Sequence, residues 1–181
     1  MKLLLALAAL TAVCSALLDN VTTVLLTVPV TFSITSQLKV DVKPFLMAQI
    51  MASNIGGTAT LIGDPPNIMI GSAVGLSFVD FILNLAPIIV VIFGVTVFIL
   101  EALYGKELHT TPELQAQVMK LKPERQISDA VLLKKCLFVL GLTMCLFVMH
   151  GALGLESATA AMFGAGLLLL LTFTRVIKGI I

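Results

Sequence analysis

Charge is what this sequence has least of. Charged side chains make up 12% of its 181 residues and apolar ones 59%, with a mean hydropathy of +1.10. Soluble domains carry about 25% charged and 45–50% apolar residues, and a chain this small lacks the interior volume to bury such an excess. The formal net charge is only +1, and no basic stripe is interleaved with aromatics, which excludes a nucleic-acid binder. Cys14, Cys136 and Cys145 are odd in number, sit in apolar stretches and share no metal-ligand spacing, so they read as packing residues. No nucleophile–base pair, catalytic carboxylate pair or metal cluster is present, which speaks against an enzyme and against a resident cofactor. Gly57 to Gly63 has neither the Lys-Ser/Thr of a phosphate loop nor G-x-G-x-x-G spacing.

What is there suits a bilayer. The length allows about four or five spans of roughly 20 residues each. Met1-Lys2 followed by Leu3 to Ala16 imitates a secretory leader, but its basic region is a single Lys. The apolar run also continues straight into Leu17-Leu18-Asp19-Asn20. It therefore reads as a retained helix, and the chain as part of a longer protein.

Residues 3–36 read as a re-entrant hairpin: two apolar arms, Leu3 to Leu18 and Val24 to Ile34, meeting at a polar tip, Asp19-Asn20-Val21-Thr22-Thr23. Neither arm is expected to cross a core of about 30 Å alone, and such a tip is tolerated at depth only inside protein or a water-filled cavity. Residues 44–75 read as a broken transmembrane helix that opens at Pro44. Continuous helix through Gly56-Gly57 and Asp64-Pro65-Pro66 is not expected, since each glycine costs about 1 kcal/mol and an interior proline about 3. Pro65 also turns Asp64 away from helical angles, so the second half-helix is expected near Pro66. Ser77 to Asp80 has the pattern of a capping box, predicting an interfacial helix over 77–85 ahead of a span over 86–104. A hydrophilic loop over 105–130 precedes spans over 131–150 and 155–174. Lys106, Lys120, Lys122, Arg125, Lys134 and Lys135 put that loop in the cytoplasm. Lys39, Lys43 and Arg175 then fall on the same side.

Two carboxylates in such a setting are costly, at about 2.5–3.5 kcal/mol each on insertion scales. Asp19, Asn20, Thr22 and Thr23 of the tip join Ser53, Asn54, Gly56, Gly57, Thr58, Thr60, Asp64 and Asn67 of the broken helix as candidate ion-binding residues. Broken helices free carbonyls for cations and N–H groups for anions. Asn20, Thr23, Asn54 and Thr58 offer the neutral oxygens suited to Na⁺, while Asp19 or Asp64 offers a place for a proton or a cation. The simpler role for both aspartates is helix capping, which is compatible with ion binding. His150 and Glu156 read as interfacial anchors, His109 as solvated, and Glu101 as reaching for the cytoplasmic interface.

Ser53-Asn54-Ile55-Gly56-Gly57-Thr58-Ala59-Thr60-Leu61-Ile62-Gly63-Asp64-Pro65-Pro66-Asn67 resembles the matching segment of the ion transporter superfamily. The nearest branch is that of arsenite permease and P protein, with citrate-transporter-like relatives. Leu18-Asp19-Asn20-Val21-Thr22-Thr23-Val24 is similar to that branch's hairpin. The resemblance implies an all-α membrane protein holding one of two inverted repeats, with a midplane site at the hairpin tip and the unwound helix. It implies secondary transport of a small ion, whether an arsenite-like anion, Na⁺ with H⁺, or a carboxylate, coupled to Na⁺ or H⁺. It also implies a second transporter half or a dimer partner, and a plasma or organellar membrane. A channel and a truncated, non-transporting fragment are the alternatives.

Overall fold

The computed structural model describes residues 2–105 and 129–180. Seven helices and no strands are found among the described residues. They are α1 (Lys2–Leu17), α2 (Asn20–Leu38), α3 (Lys43–Thr58), α4 (Pro65–Val74), α5 (Phe78–Tyr104), α6 (Ala130–Leu153) and α7 (Ser157–Ile180). The hydrophilic segment 106–128, with His109 and most of the basic cluster, lies outside the described residues. Helices α1–α5 form one compact unit and α6–α7 another. Among the described residues three helices are long and apolar enough to cross a membrane: Asn20–Leu38, Phe78–Tyr104 and Ala130–Met149.

In the first unit α3 is central and packs on α1, α2 and α5. Its small residues recur every fourth position, Ala48, Ala52 and Gly56, and α1 has the matching series Ala8, Ala12 and Ala16. Small residues at this spacing let two backbones approach closely where lipid supplies no hydrophobic drive. Leu4, Leu7, Ala8, Phe45, Ala48, Ala52 and Leu100 make the buried apolar cluster. The helices run in parallel register: Thr11 meets Gln49 and Ser15 meets Ser53, each pair 38 residues apart.

Four differences from the sequence reading have identifiable causes. The hairpin break is only Leu18-Asp19, because Asp19 caps α2: its carboxylate accepts from Thr22 N at 2.9 Å and its carbonyl from Thr23 N at 3.0 Å. Asn20 to Thr23 are therefore the first turn of α2, not a loop. The same helix runs past Ile34, because the hydroxyl of Thr35 bonds back to Thr31 O at 2.8 Å and keeps a polar residue helical. Lys39, at φ 52°, ends it with Val40 N donating to Thr35 O at 3.2 Å, a Schellman turn. With 19 residues, α2 is thus long enough to span, whereas its partner arm α1 has 16.

The third difference is that α3 stays helical through Gly56-Gly57 and unwinds only at Ala59–Asp64. The glycines are there for packing: a Cβ on Gly56 would run into the backbone of Ala12. That contact outweighs their poor helix propensity. The second half-helix starts at Pro65, with Asp64 extended as the preceding proline rule demands. The fourth is α5, one helix where an interfacial segment over 77–85 and a span over 86–104 were expected. Its capping box is present, Ser77 Oγ accepting from Asp80 N at 3.2 Å and Asp80 Oδ2 from Ser77 N at 2.8 Å. Pro87 lies inside it, removing one backbone donor, while Asn84 bonds back to Asp80 O at 2.8 Å and leaves no polar break. Ser77→Ala is expected to cost about 1 kcal/mol, read as a lower thermal midpoint with unchanged helix content.

In the second unit α6 and α7 are antiparallel, joined at Gly154, which adopts φ 64°. Thr143 fills the space over Gly164, and Lys135 Nζ donates to Leu171 O at 2.7 Å. Glu156 offers its backbone carbonyl to Thr159 N at 3.0 Å.

Candidate functional site

The start of α2 and the end of α3 meet through one side-chain bond: Asn20 Nδ2 donates to Asn54 Oδ1 at 2.9 Å. Asn54 is held from behind by its own Nδ2 on Ile50 O at 2.8 Å, and Thr58 Oγ1 caps Asn54 O at 2.9 Å. Asp19, Asn20 and Thr58 are half-buried, and Thr22 and Asn54 exposed, so this end of the unit is open. Just inside it lies Thr23, 1% exposed, whose hydroxyl has no hydrogen-bond partner. A buried polar atom without a partner is unusual enough to need a reason, and an ion or ordered water is among the commonest.

The unwound stretch is stitched on both sides. Thr60 Oγ1 donates to Ala16 O at 2.6 Å, meeting a carbonyl left over at the end of α1, and accepts from Gly63 N at 3.1 Å. Gly63 and Gly57 pack backbone to backbone beside Ser15, too close for a side chain on either. Asn67, on the first turn of α4, points its Nδ2 back at the break, 2.9 Å from Thr60 O and 3.4 Å from Thr58 O. Ser53 is buried, its hydroxyl on Ile50 O at 2.9 Å and its carbonyl taken by Ser15 Oγ at 2.6 Å. Asp64 stands at the N-cap of α4, yet its carboxylate makes no capping bond.

The twelve sequence-nominated residues thus divide. Asp19, Asn20, Thr22, Thr23, Asn54 and Thr58 gather at the open end. Ser53, Gly56, Gly57 and Thr60 face α1 and hold the break in shape. Asp64 closes the break at the N-cap of α4, and Asn67 clamps the break from α4 and also lines a mostly apolar cavity of about 400 Å³ with Ile70, Leu76 and Phe81.

A second polar set went unrecognised in the sequence. Thr11, Ser15, Thr31, Thr35 and Gln49 are all buried between α1, α2 and α3. The threonines of α2 at 23, 27, 31 and 35 form a row at every fourth residue, a spacing that was visible but reads as unremarkable helix content.

The chain is 44% identical over 172 residues to a 46 kDa membrane protein of Mycobacterium leprae, covering 95% of this chain and 40% of that protein. It is 42% identical over 172 residues to an uncharacterised transporter of Mycobacterium tuberculosis, with the same coverage. The human P protein is 29% identical over an alignment of 231 positions, covering 88% of this chain and 28% of that protein. The chain therefore spans 40% of the length of its mycobacterial relatives. The citrate transporter family model matches residues 1–179. With a family match over nearly its full length, and with apolar helices able to cross the bilayer more than once, the chain is a multi-pass integral membrane protein that belongs to the citrate transporter family.

Proposed function

We propose that this chain carries one half of the ion site of a secondary transporter, with the other half supplied by the length its relatives have and it does not span, or by a partner. The observation that carries the reading is the Asn20–Asn54 bridge, which joins the start of one helix to the end of another at an open, polar corner. The oxygens of Asn20, Thr23, Asn54 and Thr58 supply neutral ligands for a coupling Na⁺, and Asp64 is the group free to take a proton in a proton-coupled cycle. The orphaned Thr23 hydroxyl supports the first role, and the uncapped Asp64 carboxylate the second. A carboxylate substrate accords with the family name, an arsenite-like anion with the resemblance noted above. The lack of Lys or Arg between 18 and 38, and between 44 and 75, argues against a multiply charged free anion held by direct ion pairs. A carboxylate neutralised by a bound cation meets that objection.

The test is uptake of labelled citrate and of arsenite into proteoliposomes carrying the full-length protein, under an imposed Na⁺ or pH gradient. Gradient-driven uptake is expected, reduced about tenfold or more by Asn20→Ala and by Asn54→Ala while membrane insertion is retained. Uptake indifferent to both gradients, or untouched by both substitutions, would remove the proposal.

A further inference from the structure

A fully buried amide is an expensive choice for the middle of a membrane helix bundle. Gln49 is 0% exposed on α3, with Thr11 of α1 and Thr31 of α2, each also 0% exposed, on either side. Its Oε1 accepts from Thr31 Oγ1 at 2.9 Å, and its Nε2 donates to Thr11 Oγ1 at 3.4 Å. Neither threonine depends on it. Thr11 has a backbone acceptor at Leu7 O, 2.7 Å away, and Thr31 has one at Thr27 O, 3.1 Å away. A Met or Leu at position 49 would leave both hydroxyls satisfied and spare the cost of burying an imperfectly bonded amide. Satisfying its neighbours is therefore not what Gln49 is for.

What a buried directional bond supplies, and apolar packing does not, is a fixed rotation and slide of one helix on another. Thr31 lies on the α2 row that runs through Thr27 and Thr23 towards Asn20. Gln49 lies on α3 one turn before Ser53 and Asn54. The face of α2 that Thr31 turns towards Gln49 is the face that buries Thr23 and brings Asn20 to Asn54. On the opposite side Ser15 holds Ser53 O at 2.6 Å, so α3 is already fixed to α1 near the site. The element still to be placed is α2.

We propose that Gln49 is the positioning residue of the corner site: through Thr31 it sets the rotation of α2, and so holds Asn20 opposite Asn54. The inference rests on the reading of that corner as an ion site, and its two arms are separable. For geometry, Asn20→Cys and Asn54→Cys are paired in a full chain whose Cys14, Cys136 and Cys145 are replaced by Ser, and cross-linked with a short bifunctional thiol reagent. Adding Gln49→Met, which conserves volume, is expected to slow cross-linking about tenfold, with the thermal midpoint in choline chloride little changed. For function, the probe is Na⁺, read as stabilisation by NaCl over choline chloride with Asn20 and Asn54 intact. The apparent Na⁺ affinity is expected to weaken about tenfold in Gln49→Met, by a similar factor in Thr31→Val, and no further in the double variant.

Thr31→Val leaves Gln49 in place and carries both arms if Gln49→Met fails to fold. Unchanged cross-linking overturns the inference, as do effects of the two substitutions that multiply, or a loss of Na⁺ affinity that merely tracks a falling midpoint. A wild-type protein that does not distinguish NaCl from choline chloride overturns the Na⁺ site itself, while the cross-linking result alone decides whether Gln49 holds Asn20 opposite Asn54.

Discussion

Gly56→Ala is expected to cost about 3 kcal/mol, the upper end of what an overpacked core shows, and to leave little correctly assembled protein in the membrane. The added methyl would fall inside the backbone of Ala12, and a backbone cannot swing aside as a flexible side chain can. Relief requires α1 to move off α3 along its whole length, breaking the Ser15–Ser53 and Thr60–Ala16 bonds that lie beyond the contact. Gly94→Ala is the control. It sits in α5 with nothing within 4 Å of the new methyl, so it should be neutral or stabilising by up to about 1 kcal/mol. Thermal midpoints of the two variants, measured in the same detergent, check the expectation. Equal midpoints would mean that α1 and α3 do not pack in this register.

The second large effect is functional. Asp64→Asn should insert and fold like the wild type, because the carboxylate makes no capping bond that the substitution could remove, and Asn is an equally good N-cap residue. It does remove the one acidic group of the break. On the proposed reading, uptake by the full-length variant loses its dependence on the coupling gradient or changes which ion drives it. Asp19→Asn is the informative comparison, since Asp19 does cap its helix, through Thr22 N, and an amide oxygen can keep that bond. Ion dependence of the wild-type kind in Asp64→Asn would exclude Asp64 from the site.

How much of this was legible beforehand differs by element. Asp19 and Asp64-Pro65 could be placed as breaks because local chemistry decides them: a capping side chain in one case, a missing donor and a restricted neighbour in the other. The Ser77–Asp80 box was readable for the same reason. Gly56-Gly57 misled because propensity is a local quantity, while those glycines answer to Ala12, 44 residues away in sequence. The division at 85–86 failed in the opposite direction, since the apolar run is continuous through it and one helix takes up both parts. Gln49 is the lone polar residue of the stretch from Phe45 to Ala52. Nothing in the sequence says that Thr11 and Thr31 will flank it, because a row of hydroxyls that can bond their own helix does not by itself say which way it faces.

The parallel register of α1 and α3 has a consequence for how these helices can change. Their contacts repeat in steps of four residues at constant offsets, 38 for one row and 44 for the next. A substitution alters one rung. One residue gained or lost ahead of Thr11 turns everything after it by about 100°, swinging Thr11, Ala12, Ser15 and Ala16 off α3 together and carrying the cap of α2 with them. Side chains on the outward side of α1, such as Leu5, Leu10 and Val13, are free to vary in kind. The length of α1 is not. An extra residue has its natural place in the Val40-Asp41-Val42 link, outside every rung.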